Sequence, residues 1–406
     1  NNGNVRKRRN TTRMSSQSPS ISSEEFAERR RCAAEMAGAD GLKGLLICSR
    51  GGGTLDRFGD VFYLTNYYTS FPYIPDLPGA WSARAHTFLV LSAKGDCVLV
   101  TDAPNDNHTA LAEEDVIYTD LVLDGVLEAM QRLGMETGRV GLVGGDVMPV
   151  NTYQALDGLL PEVVWPNAQH ILVNLRAVKS PDEIALLRRA SVVGAQAIEA
   201  MMAAAEPGSS HGDVVAAGMA VLAPAGASLY NSFMASGRGG ENPQVVRRNF
   251  PTWGSKEPLA DGQWFRIGLS GVVDGYYFDL SRSKAIGPPT NQQIELFEAA
   301  IEIVEAAIAE IRPGVTAETV AQAGLAKQTA LGYPNDGVFS GLGHGVGLGW
   351  DAPWLAVGDQ TVIESGMVLC IERTIRKNGY LGDFEETVVV TEDGCEKITR
   401  AQIRYW

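Results

Sequence analysis

The chain has 406 residues, 45% of them apolar, and a formal net charge of -14. That length supports two domains with cores of their own. So acidic a balance excludes a nucleic-acid backbone as the main partner, and no apolar run reaches the ~18 residues of a membrane span. Five cysteines (Cys32, Cys48, Cys97, Cys370 and Cys395) are scattered, odd in number and without a CxxC pair. This fits free thiols in a reducing, cytoplasmic setting. Residues 1–23 carry Arg6, Lys7, Arg8, Arg9 and Arg13 but no acid, then Ser, Gln and Pro. They are expected to be a disordered tail, with Met14 a candidate natural start.

Ser22-Ser23-Glu24-Glu25 has the form of a helix cap with acids in the first turn, and predicts a helix to about Ala37, stopped at Gly38. Gly44–Cys48 and Val61–Tyr68 read as strands, and Thr87–Ser92 with Asp96–Thr101 as a hairpin around residues 93–95. A helix over 122–133 and a strand over 140–143 complete an α/β domain over 24–174. It has no GxGxxG or phosphate-loop pattern. Leu175–Ile184 reads as the hinge into a second domain, 175–406. Pro181, with Asp182 and Glu183 behind it, starts a helix running to about Ala205. A second helix covers about 291–311, closed by Arg312-Pro313-Gly314. Strand-rich segments lie at 263–269, 276–283, 368–375 and 385–390. Two helix-plus-strand halves predict an α+β domain, a curved antiparallel sheet with helices on one side.

The chemistry centres on Ser340-Gly341-Leu342-Gly343-His344-Gly345-Val346-Gly347-Leu348-Gly349, which presents one histidine in a run of alternating glycines. Glycine lets backbone approach a neighbour closely. Three acids sit in or beside apolar strand runs: Asp279, Glu372 and Glu385. Burying an unpaired carboxylate costs several kcal/mol, so Asp279, His344, Glu372 and Glu385 make most sense if they converge on a cation. Taken one at a time, each acid could instead pair with an arginine or face water. Carboxylates with one imidazole suit Zn, Mn, Fe(II) or Co.

The second half resembles the pita-bread superfamily of methionine aminopeptidase, aminopeptidase P, prolidase and creatinase. Arg176–Ile184, Gly275–Arg282, Gly343–Leu348, Gly366–Glu372 and Glu385–Gly394 follow in family order, so the resemblance covers about 170–400. It implies a C-terminal pita-bread domain preceded by a smaller α/β creatinase-type N-terminal domain. It also implies a hydrolase of C–N bonds and a homodimer whose N-terminal domain contributes to the neighbour's site.

Departures refine that expectation. Family metalloenzymes hold two metals, and their first aspartate, eleven residues before the second, falls here at Gly268. The other set is complete in Asp279, His344, Glu372 and Glu385, which implies one divalent metal ion (Fe, Mn, Zn or Co), or none. Peptidase histidines fall at Asp351 and Arg247, and the prolidase arginine falls at Asp383. These changes argue against an ordinary Xaa-Pro peptidase. Creatinase, which is metal-free, has its catalytic histidine where Glu241 precedes Asn242-Pro243, and arginines matching Arg247 and Arg84. Glu241 is therefore expected as general base or nucleophile. Arg84 from the partner subunit, Arg247, Asp351 and Arg373 are expected to shape the choice of a small carboxylate-bearing substrate. Ectoine hydrolases, which open a cyclic amidine, are a related model. The alternatives are an Xaa-Pro dipeptidase, a dimethylsulfoniopropionate-type lyase and an inactive binding module.

Overall fold

A computed structural model describes residues 20–51, 58–103, 109–248, 257–335 and 341–406. Most of the expected N-terminal tail, residues 1–19, lies outside them.

The N-terminal elements are α1 (Ser23–Ala39), β1 (Gly44–Arg50), α2 (Gly59–Thr65), β2 (His86–Ser92), β3 (Cys97–Thr101), β4 (Val116–Tyr118), α3 (Val122–Arg132), β5 (Gly138–Arg139), β6 (Gly141–Val143), α4 (Val150–Leu159), β7 (Val163–Val164) and α5 (Gln169–Ala177). Five strands form a mixed sheet in the order β4-β3-β2-β1-β6, and β5 pairs with β7. Ser22 caps α1 by accepting from the Glu25 amide. The run Val61–Tyr68, expected as a strand, is mostly the helix α2. Phe58, Val61, Leu64 and Thr65 recur at helical spacing and are fully buried, and Asn66 ends the helix in the left-handed region at φ 59°. Packing beneath β1 overrides the strand preference of Val, Phe and Tyr.

The second half contains α6 (Pro181–Ala204), α7 (His211–Leu222), β8 (Ser228–Arg238), β9 (Gln244–Arg248), β10 (Trp264–Val273), β11 (Tyr276–Ala285), α8 (Asn291–Ile308), α9 (Ala317–Ala330), β12 (Gly343–Val346), β13 (Trp350–Trp354), β14 (Val368–Lys377), β15 (Tyr380–Val390) and β16 (Cys395–Lys397). They form two sheets, β11-β10-β8-β9 and β13-β12-β14-β15-β16. The sheets meet along β11 and β15, where the Asp383 amide donates to Ser283 Oγ (2.8 Å) and Thr387 Oγ1 to the Asp279 carbonyl (2.9 Å).

Each sheet buries one face under helices. Ile198, Met201 and Met202 of α6 pack with Phe265, Ile267, Leu269, Phe278 and Leu280. Ala300, Ile303 and Val304 of α8 pack with Leu369, Ile371, Ile375 and Phe384. Strand side chains alternate between faces, so the residues between these positions point away from the helices, and that second face carries the acids. No helix among the described residues is long and apolar enough to cross a membrane.

Candidate functional site

On β11, Phe278 and Leu280 enter the helix core while Asp279 and Ser281 take the other face. On β14 the pattern places Cys370, Glu372 and Thr374 together, and on β15 Asp383, Glu385 and Thr387. Antiparallel register puts Glu372 opposite Glu385, His344 opposite Cys370, and Ser270 opposite Asp279. The glycines around His344 allow this approach. A Cβ at Gly343 would stand 1.9 Å from the Cys370 carbonyl oxygen, and one at Gly345 2.2 Å from that of Ala352.

One donor atom from each of Asp279, His344, Cys370 and Glu385 lies within 4.8 Å of the others. Glu372 joins the group: His344 Nε2 is 3.9 Å from Glu372 Oε1 and 3.9 Å from Asp279 Oδ2. His344 Nδ1 bonds the Gly345 carbonyl at 2.9 Å. A carbonyl only accepts, so Nδ1 carries the proton and the Nε2 lone pair faces the carboxylates. Trp350 Nε1 donates to Asp279 Oδ2 at 2.6 Å, and the Cys370 thiol donates to Glu385 Oε1 at 3.0 Å.

Burial, reinforced by the charge of Glu372, pushes the Asp279 carboxyl up to about 8. Burial, then Asp279 and Glu372, holds Glu385 well above the usual carboxylate range. Glu372 keeps 31% of its side chain open to solvent; it too is raised, by the surrounding protein first and by Asp383 second. Burial pushes His344 down, so its imidazole is neutral. The Cys370 thiol is raised well above its usual value by burial and keeps its proton.

Three carboxylates and a neutral imidazole, oriented through its other nitrogen, fit a divalent cation. The hydroxyls of Ser270 and Ser281, buried on the same wall and without a hydrogen-bond partner, mark that wall as built for more than the protein's own contacts. Asp279, His344, Glu372 and Glu385 are the residues that would hold the ion. Cys370, absent from the sequence-based set, lies among them as a donor to Glu385. Its place follows from the β12–β14 register, which a lone apolar-flanked cysteine does not announce.

The other expected site residues are placed differently. Glu241 is exposed in the β8–β9 connection, where the Gly240 amide bonds the Asn378 carbonyl at 2.8 Å. Trp264 pairs with Gly237 and Ser270 with both Asn231 and Asp279. Six residues of strand, about 20 Å, separate those levels, and Glu241 lies beyond the Trp264 end. The structure therefore does not bring Glu241 to the acids, a correction to its expected role as base or nucleophile. Arg373 is also corrected. Strand alternation turns it to the face opposite Glu372, where it is 5% exposed and donates to Gln328 Oε1 (2.6 Å), the Gly341 carbonyl (3.0 Å) and Asn335.

Asp351 accepts from Arg176 Nη2 at 2.5 Å and lies 4.0 Å from Lys179 Nζ. It lines a cavity of about 270 Å³ with Asp60, Gln169, Arg176, Trp350 and Trp354. Its carboxylate is engaged between the two halves of the chain. Arg84 lies beside the rings of Phe71 and Trp81 and pairs with Asp102 (3.6 Å) and Asp120. All these partners belong to the N-terminal half. Arg247 pairs through its backbone with Ala235; its side chain lies outside the described structure.

Known proteins match this chain along most of its length. Residues 29–178 match the creatinase/prolidase N-terminal domain, and residues 185–392, just over half of the chain, match metallopeptidase family M24. The Xaa-Pro dipeptidase of Lactobacillus helveticus is 29% identical over 63% of this chain and 68% of its own. The ectoine hydrolase of Halomonas elongata is 24% identical over 78% of this chain and 86% of its own. The crystal structure of dipeptidase PepE from Mycobacterium ulcerans superposes with a TM-score of 0.76 at 25% identity, covering 95% of this chain and 98% of that one. The chain belongs to metallopeptidase family M24, hydrolases that act on C–N bonds, and carries a creatinase/prolidase N-terminal domain ahead of its catalytic half.

Proposed function

We propose that this protein hydrolyses a C–N bond in a small carboxylate-bearing molecule at a site holding one divalent metal ion. The observation that carries the reading is the convergence of Asp279, His344, Glu372 and Glu385 on one face of the second half. A metal ion bound there supplies Lewis-acid polarisation of the group under attack. Glu372 is the acid of the set most open to solvent, so its carboxylate faces the side from which water and substrate would reach the ion. His344 orients through Nδ1, and Trp350 fixes one oxygen of Asp279.

The cleft is walled by aromatic rings. Trp350 and Trp354 lie 5.7 and 5.8 Å from the His344 ring, and Phe233 stacks on Trp350 at 6.4 Å. Such walls favour a small, flat or cyclic substrate. The likeness to ectoine hydrolase supports that size class. The protein is read as a homodimer, with Arg84 of one copy facing the cleft of the other.

Elemental analysis of protein purified without added metal or chelator tests the reading. About one equivalent of Mn, Fe, Zn or Co is expected, with H344A losing it while staying folded. Protein that contains none and takes up none on addition would overturn it. Cyclic amidines, N-acyl amino acids and Xaa-Pro dipeptides, assayed side by side with that metal present, then separate the substrate classes.

A further inference from the structure

One more charged group lies beside the acids and is not used by this reading. Arg266 shares the cleft face of β10 with Gly268 and Ser270, between Phe265 and Ile267, which enter the helix core. Its Nε and Nη2 lie 2.8 and 2.6 Å from Asp383 Oδ2. Asp383 is 1% exposed and accepts at its other oxygen from Thr374 Oγ1. The guanidinium is thereby clamped on one edge by a carboxylate that cannot swing away. Its Nη2 stands 3.3 Å from where a Cβ on Gly268 would lie. It fills the space that a longer side chain at 268 would need.

The charges explain the arrangement. Asp279, Glu372, Asp383 and Glu385 face the cleft from three strands. Across β8 the residues in register with Ser270, Gly268 and Arg266 are Asn231, Phe233 and Ala235, all uncharged. Among these positions Arg266 is the one cation. One divalent ion and one guanidinium offset three of the four negative charges. The Asp383 carboxylate is taken up by this guanidinium and by Thr374, so it is not free to hold a second divalent ion.

We propose that Arg266 is a built-in cation that, with Asp383, occupies the second half of the cleft and limits it to a single metal ion. This rests on the metal reading above. Arg266 is a positioning residue in this role: it sets the stoichiometry of the site and keeps Glu372 and Asp383 apart in charge without touching the reacting bond.

The test counts Mn²⁺ bound to the full chain, by elemental analysis and by electron paramagnetic resonance, in wild type, G268D and the double variant R266A/G268D. One ion with the spectrum of an isolated centre is expected for wild type. G268D should also bind one, because the new carboxylate pairs with Arg266. R266A/G268D should bind two and show a spin-coupled pair. A second ion in G268D with Arg266 in place would overturn the proposal, as would a folded double variant that still binds one. If the double variant does not fold, R266Q decides: it should take up a second ion at millimolar Mn²⁺ where wild type takes none, and a single ion there would overturn the proposal. Wild type binding two ions refutes this inference alone; wild type binding none refutes the metal reading and this inference with it.

Discussion

At the scale of single residues, Arg282 shows what joins the two sheets. It is 0% exposed. Its guanidinium donates to the carbonyls of Ser281 (2.8 Å), Glu385 (2.7 Å) and Gln402 (2.8 Å), pairs with Glu386 at 2.6 Å, and lies 4.6 Å from the Phe384 ring centroid. These contacts tie β11 to β15 on the face opposite the acids, so they fix the backbone from which Asp279 and Glu385 project. A buried ion pair adds little over an apolar pair of the same shape, but breaking one side leaves a buried charge without a partner. R282M should therefore lose about 3–5 kcal/mol in urea unfolding, and R282M/E386L should recover much of that loss. A single variant within about 1 kcal/mol of wild type would show that the Arg282 network does not hold the sheets together.

At the scale of elements, α6 was the part of the fold most legible in the sequence. Ser180 accepts from the Glu183 amide, the Glu183 carboxylate accepts from the Ser180 amide, and Pro181 opens the first turn. The same cap opens α7, where Ser210 and Asp213 bond reciprocally. That signal was present in the sequence, but the short, nearly all-apolar run behind it shows no polar face to mark a helix. The acids were legible because strand alternation places Asp279, Glu372 and Glu385 on one face of each run. Cys370, Trp350 and Arg266 were not, because their places depend on which strands pair and in what register. The fit of α6 to its sheet was equally hidden. A Cβ on Gly194 would come 2.5 Å from the Phe278 ring. Alanine is the better helix former by about 1 kcal/mol, whereas overpacking a tight core costs about 1–3 kcal/mol. Packing should win, so G194A should lower the thermal midpoint. A raised midpoint would mean that α6 can move off the sheet at no cost.

At the scale of the whole molecule, the two halves of the chain are coupled through the strand that also supports the acid cluster. Arg176, at the end of α5, donates to Asp60 on α2 at 2.7 Å and to Asp351 on β13 at 2.5 Å. Gln169 Nε2 holds the other oxygen of Asp60 at 2.8 Å. The residue beside Asp351 is Trp350, whose indole fixes Asp279. Removing the Arg176 charge leaves two carboxylates facing each other across the interface, with Lys179 the one remaining cation paired with Asp351 among the described residues. R176M should therefore cost about 3–5 kcal/mol. It should also weaken Mn²⁺ uptake by tenfold or more, although Arg176 would touch no metal, because β13 would lose the anchor that positions Trp350. R188M removes an arginine from a pair with Glu396 whose side chains are 39% and 44% exposed, and exposed pairs contribute about 0–1 kcal/mol. It should change neither quantity. If R176M loses stability but binds Mn²⁺ as tightly as wild type, the N-terminal half stabilises the chain without tuning the site. If both fall together while R188M stays flat, docking of the N-terminal half and assembly of the acid cluster are one event, transmitted through Trp350 and Asp351.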